Sequence, residues 1–309
     1  MNTHEADETG EEVNDLENAP TRSISLPEVG QQIQSPNGNI YTFTDRIGEG
    51  YFSLVFGCTD LWNNRLAAKV FKPLGRNFED VEKSVIDERN KLLFLRHPYI
   101  TYIFDAFVYD DTFYVITERC GSTLHDLFKI KNFDGKVWFY AVARCLLQGL
   151  EYIHQNGYAH QDLHFGNVMY SFIQDELISE KSAMTFKIAD FGISKLIEEV
   201  NPENTRANWL LPPEALNPTE FGPLDHRIDI YHVGLILLQL AYSAEIQFTR
   251  EQILNGAPRQ LAQDLEPPFS FALEKALRRH VSFRTESAQE LWRDINSHTT
   301  GLPLLDRAK

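Results

Sequence analysis

Residues 158–167 read Tyr-Ala-His-Gln-Asp-Leu-His-Phe-Gly-Asn, and the rest of the chain is organised around them. The stretch follows an amphipathic helical pattern and sets His160, Asp162 and Asn167 on what should be a loop. A carboxylate and a carboxamide at that spacing can face one pocket. Asp162 can orient a hydroxyl nucleophile and accept its proton, while the Asn167 amide oxygen can ligate a hard divalent cation. Asp and Asn are also common turn formers, so the stretch has a plain loop-building reading too. The rest of the chain decides between the two.

At 309 residues, 43% hydrophobic and 24% charged, the composition is that of a globular protein long enough for two lobes. A net charge of -15 argues against a nucleic-acid partner, which would need clustered Lys and Arg against phosphates. No apolar run has membrane-spanning length, and the acidic N-terminus is unlike a secretory signal, so no membrane partner is expected. Cys58, Cys120 and Cys145 are widely spaced and form no metal or disulfide pattern, which suits reduced thiols and a cytoplasmic location. Residues 1–38 hold eight acids and one Arg among polar residues, and are expected to be a disordered acidic tail.

From residue 39 the pattern is strand-like. Ile47-Gly48-Glu49-Gly50 lies between two strand runs, and its glycines let backbone amides approach a phosphate; an ordinary hairpin turn is the simpler reading. Lys69 sits inside the apolar strand 65–71, where a charge is costly unless paired. The helical pattern over 78–95 offers Glu88 as its partner. Two more strands flank Asp110-Asp111, and the second leads into Glu118-Arg119-Cys120-Gly121, a candidate hinge. Helices are expected over 123–130, 133–156, 228–240, 249–256, 268–280 and 286–296. Short strands at 168–170 and 186–189 flank a polar segment, 171–184, that reads as an insertion, and Asp190-Phe191-Gly192 follows. Asp229 either caps its own helix or holds another loop's backbone.

A Gly-rich hairpin, a strand Lys, a helix Glu, H-x-D-x-x-x-x-N, D-F-G, P-P-E, D-I-Y-x-x-G and a late Arg occur here in one order. Together they resemble the eukaryotic-like protein kinase catalytic domain. The resemblance implies an α+β, bilobal fold: a small antiparallel β N-lobe with one key helix (39–119), a larger, mainly helical C-lobe (120–297), and a C-terminal tail, 298–309. By the same resemblance ATP and Mg2+ are the cofactors, and proteins with Ser/Thr acceptors, this chain included, the substrates. Ile47, Gly48 and Gly50 match the loop over the ATP phosphates, and Lys69 the Lys that grips them with Glu88 behind it. Val55, Ala67 and Met169 match the residues around adenine, Thr117 the gatekeeper, and Glu118 and Cys120 the hinge. Asp162 matches the catalytic base, and Asn167 and Asp190 the metal ligands. Leu92, His160 and Phe191 match an internal hydrophobic spine, Glu214 and Arg284 an ion pair bracing the substrate-binding segment, and Asp229 the residue holding the catalytic loop from below.

Four positions depart from the family pattern. Ser53 stands for the third glycine. Gln161 replaces the Arg that usually pairs with a phosphorylated activation segment, so gating by that route is not expected. His164 replaces a Lys that reaches the γ-phosphate, and in this the loop is similar to small-molecule phosphotransferases; a His can donate a hydrogen bond or, if protonated, a charge. Ala207 lies where a Thr is common, with Thr205 as the other candidate. The reading is an ATP-dependent Ser/Thr protein kinase, with a nucleotide-binding pseudokinase scaffold and a small-molecule phosphotransferase as alternatives.

Overall fold

In a computed structural model of the chain, the described residues are 26–49, 53–71, 83, 86, 95–174, 182–190, 195–196 and 211–297. Strands β1 (Gln32–Gln34), β2 (Ile40–Glu49), β3 (Ser53–Thr59), β4 (Arg65–Phe71), β5 (Ile103–Tyr109) and β6 (Thr112–Glu118) form one antiparallel sheet, ordered β1-β2-β3-β4-β6-β5. Strand geometry sends alternate side chains to one face. Tyr41 and Phe43, Leu54 and Phe56, Leu66, Ala68 and Val70, and Tyr114 and Ile116 accordingly share a single buried cluster. The β5–β6 hairpin closes through Asp110 and Asp111, both at positive φ (48° and 53°), as a two-residue turn with the right-handed twist of a sheet requires.

The second half is mainly helical. It comprises β7 (Ser122–Thr123), α1 (Leu124–Phe128), α2 (Gly135–Gln155), β8 (Tyr158–Ala159), β9 (Val168–Gln174), β10 (Ser182–Ile188), β11 (Lys195–Leu196), α3 (Pro213–Leu216) and α4 (Pro218–Phe221). After these come α5 (Arg227–Tyr242), α6 (Arg250–Leu254), α7 (Ala257–Gln263), α8 (Phe269–Ala276) and α9 (Ala288–Asn296). Helix α5 is apolar on every side, and every residue from Ile228 to Ala241 is buried, so it is the central post against which the others pack. The α+β, two-lobed architecture inferred from the sequence is the one observed. The lobes share apolar contacts: Phe71, Leu95, Ile103 and Val115 join the helical core cluster.

Three boundaries differ from the sequence reading. Residues 32–34 belong to the sheet instead of the tail: Ile33 is buried opposite Tyr41, and its neighbours are polar, so a three-residue strand leaves little periodicity to detect. The segment 171–184 is no insertion loop at its ends. Ser171 to Gln174 pair with Ser182 to Thr185, lengthening the β9–β10 hairpin. Helix α7 was not expected; Gly256 at φ 77° ends α6, and Pro258 in the first turn of α7 starts a new helix at once. The helix expected over 78–95 lies outside the described residues except for helical Lys83 and Ile86 and non-helical Leu95. Among the described residues no helix is long and apolar enough to cross a membrane.

The start of α2 meets α5 backbone to backbone. A Cβ at Gly135 would stand 2.5 Å from the Leu240 carbonyl oxygen and 2.9 Å from its Cα, atoms that have no rotamer to retreat into. Gly135→Ala is therefore expected to destabilise the fold by about 1–3 kcal/mol, as overpacking does, despite alanine's better helix propensity. Denaturant titration checks this; an unchanged or higher midpoint would show that the two helices are free to separate.

Candidate active site

The loop that carries Asp162 begins where β8 ends, and its shape is set by one buried carboxylate. Asp229 Oδ2 accepts from the His160 backbone N–H and Oδ1 from that of Gln161, both at 2.7 Å, and Oδ2 also faces His154 Nε2 at 2.9 Å. Of the two roles open to Asp229, the structure shows the second: it holds another segment's backbone. Burial raises the Asp229 pKa, but the His154 hydrogen bond and the neighbouring histidines outweigh it, and the carboxyl stays below its ordinary range. Gln161 takes φ 68°, and this left-handed step turns the chain so that Asp162 emerges from the loop.

Around Asp162 the loop closes on itself. Asn167 Nδ2 donates to the Asp162 carbonyl at 2.8 Å and to its Oδ2 at 3.3 Å, so the Asn167 amide oxygen remains to accept or to ligate. His160 Nε2 is 3.0 Å from the Ala189 carbonyl, and its Nδ1 accepts from the Asp162 N–H at 3.3 Å, which assigns the proton to Nε2. The Ala189 N–H bonds to the Asn167 carbonyl at 2.9 Å, joining this loop to Asp190. Asp190, at φ 62°, meets Lys69 Nζ at 2.9 Å across the cleft. Lys69 reaches there from the middle of β4, held between Val55 of β3 and Val115 of β6. Lys69, Asp162, Asn167 and Asp190 are thus brought together as the sequence motifs require.

Two titrations depart from ordinary values. Asp162 is raised to about 7, first by burial and then by the nearby Asp190 charge, and its Oδ1 is buried with no hydrogen-bond partner among the described residues. His164 is lowered to about 4 by burial, so it stands neutral near pH 7. Its Nδ1 accepts from the Gly166 N–H at 3.0 Å, which leaves Nε2 as the protonated donor, 3.9 Å from Asp162 Oδ2. Of the two roles open to His164, hydrogen-bond donation is the one this geometry supports.

At the far end of the cleft, Ala67 lies opposite Thr117 in the β4–β6 ladder, and Met169 pairs with Thr123 and Lys187. Ile47 is partly exposed on β2, and a Cβ at Gly48 would meet nothing nearer than Val55 at 3.7 Å, so the protein itself does not demand a glycine there. The Glu118 carboxylate accepts from the Tyr102 N–H and from Lys187 Nζ through both oxygens, all at 2.8 Å. Arg119 forms a two-pronged pair with Asp45 of β2 at 3.0 and 2.9 Å. Burial pushes the Cys120 thiol up to about 12, helped by Glu118, so this hinge cysteine is a poor nucleophile. Below the loop, Arg284 and Glu214 form a fully buried two-pronged pair at 2.5 and 2.7 Å. Gly50, Glu88, Leu92, Phe191, Thr205 and Ala207 lie outside the described residues.

The sequence reading missed His154 and Lys187. His154 lies in the last turn of α2, and only the spacing of its helix face toward α5 would have pointed to it. Lys187 alternates with the buried Phe186 and Ile188 and so reads as an ordinary outward strand residue.

A family model described as protein kinase domain matches residues 41–296. The chain belongs to the protein kinase domain family. Similar curated proteins include the serine/threonine-protein kinase TAO2 of Xenopus laevis, 25% identical over 72% of this chain and 21% of its own length. TAO3 of Xenopus laevis is 27% identical over 65% of this chain and 22% of its own. Serine/threonine-protein kinase 10 of Danio rerio is 25% identical over 89% of this chain and 28% of its own. This chain therefore spans only 15% to 38% of the length of such curated relatives.

The raised Asp162 pKa has a stability consequence. Its folded value near 7 lies above its ordinary 3.8, so the folded state holds the extra proton. That contribution is fully present below about pH 4 and is lost as pH rises through about 7. In metal-free protein, Asp162→Asn should therefore raise the melting temperature at pH 8 and leave it nearly unchanged at pH 4. Equal shifts at both pH values would refute the buried-charge account.

Proposed function

We propose that the chain is an ATP-dependent protein kinase that transfers the γ-phosphate to Ser or Thr hydroxyls of proteins, itself among them. The observation that carries this is the convergence of Lys69, Asp190, Asn167 and Asp162 in one cleft, on a loop whose backbone Asp229 holds. Relatives named as serine/threonine kinases support the acceptor class. The buried Glu214–Arg284 pair, which braces α3 against the segment before α9, supports a protein-sized acceptor over a metabolite. A cytoplasmic location belongs to the same reading, supported by three free cysteines.

The residues present fit Mg-ATP. Magnesium prefers a few hard oxygen ligands and completes its shell with phosphates and water. An Asn167 amide oxygen and the Asp190 carboxylate are such a set, and Asp162 Oδ1 is a buried acceptor with no donor among the described residues. When bound, the nucleotide supplies the transferable phosphoryl group and the metal neutralises its charge. Lys69 would hold phosphate oxygens by charge, in exchange for or alongside Asp190. Asp162 would receive the acceptor hydroxyl as a hydrogen bond through its unsatisfied oxygen, orient it in line, and take its proton late. Neutral His164 would donate through Nε2 to a phosphate oxygen or to Asp162, where the family more often has a cation. Gln161, a neutral amide, gives no charge with which to gather a phosphorylated segment, so activity should not require one.

Intact-mass analysis after incubation with magnesium and ATP tests the reading. Phosphate should appear on the wild type, and Lys69→Met and Asp162→Asn should each cut its rate by at least about a hundredfold. Retained activity in Lys69→Met would remove that residue's assigned role. Nucleotide binding without any transfer would move the chain to the pseudokinase reading, and transfer only to a metabolite would move it to the small-molecule one.

The Glu118–Lys187 pair ties the hinge to the strand that leads to Asp190. Lys187→Met should loosen the hinge and raise KM for ATP about five- to tenfold with kcat changed little, a ground-state binding loss. Lys187→Arg should restore it. Steady-state kinetics at saturating acceptor reads both numbers, and an effect on kcat alone would contradict the hinge role.

A further inference from the structure

Beneath the catalytic loop lies a cavity of about 600 Å³, walled by α5, the loop 244–249 and α6. That is the size range of clefts that hold ligands. Besides Leu163 and Phe165 of the loop, its apolar lining comes from Leu235, Ile236, Ile246, Phe248 and Ile253. Nothing in the phosphotransfer chemistry uses these residues. The loop itself forms one wall, residues 163–166, and there the His164 ring lines the cavity while its Nε2 stands 3.9 Å from the Asp162 carboxylate. Gly166 makes that ring position possible, since a Cβ there would sit 2.8 Å from His164 Cε1.

We propose that this cavity is a subsite for one large aliphatic or aromatic side chain of the protein substrate, located within about three residues of the phosphoacceptor. The proposal rests on the protein-kinase reading. An acceptor hydroxyl must lie against Asp162, and an extended chain advances only about 3.3–3.6 Å per residue. The side chains flanking the acceptor therefore pass over His164, which is the border of the cavity.

The chemistry selects the occupant. The charged or titratable groups facing the cavity are His125, His164, His232 and Glu245. Glu245 is at the exposed rim, with His125 Nε2 already 3.8 Å away, so an entering carboxylate would be repelled and a basic head would compete with a neighbour in place. Below the rim, Ile236 and Ile253 are buried side chains, and half-buried Ile246 and Phe248 are reached first. Water held against such a wall is released when an apolar side chain takes its place.

A positional-scanning library of Ser and Thr peptides, phosphorylated with magnesium and ATP, tests the subsite. One flanking position should favour Leu, Met, Ile or Phe over Ala by roughly ten- to hundredfold in kcat/KM. Ile246→Asp, and Ile246→Ala should the charge prevent folding, should abolish that preference. The enzyme substitution and the anchor-to-Ala change in the peptide should be strongly non-additive, because each removes the same contact. Additive losses, or a library with no apolar preference near the acceptor, would overturn the proposal. Phosphorylation of the library as a whole, absent in Asp162→Asn, tests the kinase reading separately. Should no peptide be phosphorylated, fluorescence anisotropy with labelled peptides carrying Ala at the acceptor still decides. Tighter binding of the apolar-anchored peptides, lost in the Ile246 variants, supports the subsite, and equal binding of all peptides overturns it.

Discussion

A single buried carboxylate governs the geometry of this protein's cleft. Asp229 is fully enclosed in α5, where an unpaired charge would be prohibitive, and it is satisfied only because two successive amides of another segment and His154 converge on it. The constraint acts in both directions. The loop cannot leave without stranding the charge, and the charge could not be buried without the loop. Because α5 is itself packed on all sides, the loop is referenced to the most rigid element of the molecule, and Asp162 and Asn167 inherit that rigidity.

The upper half of the cleft is attached by different means. Lys69 comes from a sheet with a buried core of its own, joined to the helical one by Phe71, Ile103 and Val115 and by polar contacts where Glu118 meets the end of β10. There the Glu118 carboxylate accepts from Lys187 and the Tyr102 amide, and the Ile188 backbone bonds to Tyr99 and Thr101. These groups are partly exposed, and their pairs are weaker than the buried one beneath the loop. The molecule thus combines a lower half fixed on a buried charge with an upper one whose polar attachments at the cleft solvent can contest.

Much of this was legible in the sequence, and the reasons are local. Asp162, Asn167, Asp190 and Lys69 stand at fixed spacings in segments whose apolar patterning is strong, so their elements and their meeting could be inferred together. Asp229 was legible as a residue and ambiguous as a role, since a carboxylate near a helix start caps its own helix more often than it holds a distant loop. Lys187 and His154 were silent because their function depends on partners 69 and 75 positions away, and nothing in the neighbouring residues marks them. The neutrality of His164 was likewise invisible, because it follows from burial and from the Gly166 amide and not from the residue type. The β9–β10 extension was misread because the charged and polar residues between Gln174 and Ser182 break the pattern, and Phe172-Ile173 and Ala183-Met184 are runs too short to mark strands.

The short strand β1 bears on where the domain can be cut. It occupies the edge of the six-stranded sheet, and covers the first residues of β2. Just after it, Asn37 and Asn39 donate to Asp105, a carboxylate only 6% exposed that also receives the Tyr41 hydroxyl. A chain trimmed to residue 39 would lose the Asn37 donor, uncover Tyr41 and offer the bare hydrogen-bonding edge of β2 to other molecules. Exposed, flat strand edges of that kind are templates for aggregation. A truncation should therefore spare Ile33, since what looks like the last of a polar tail is the strand that covers the edge of β2.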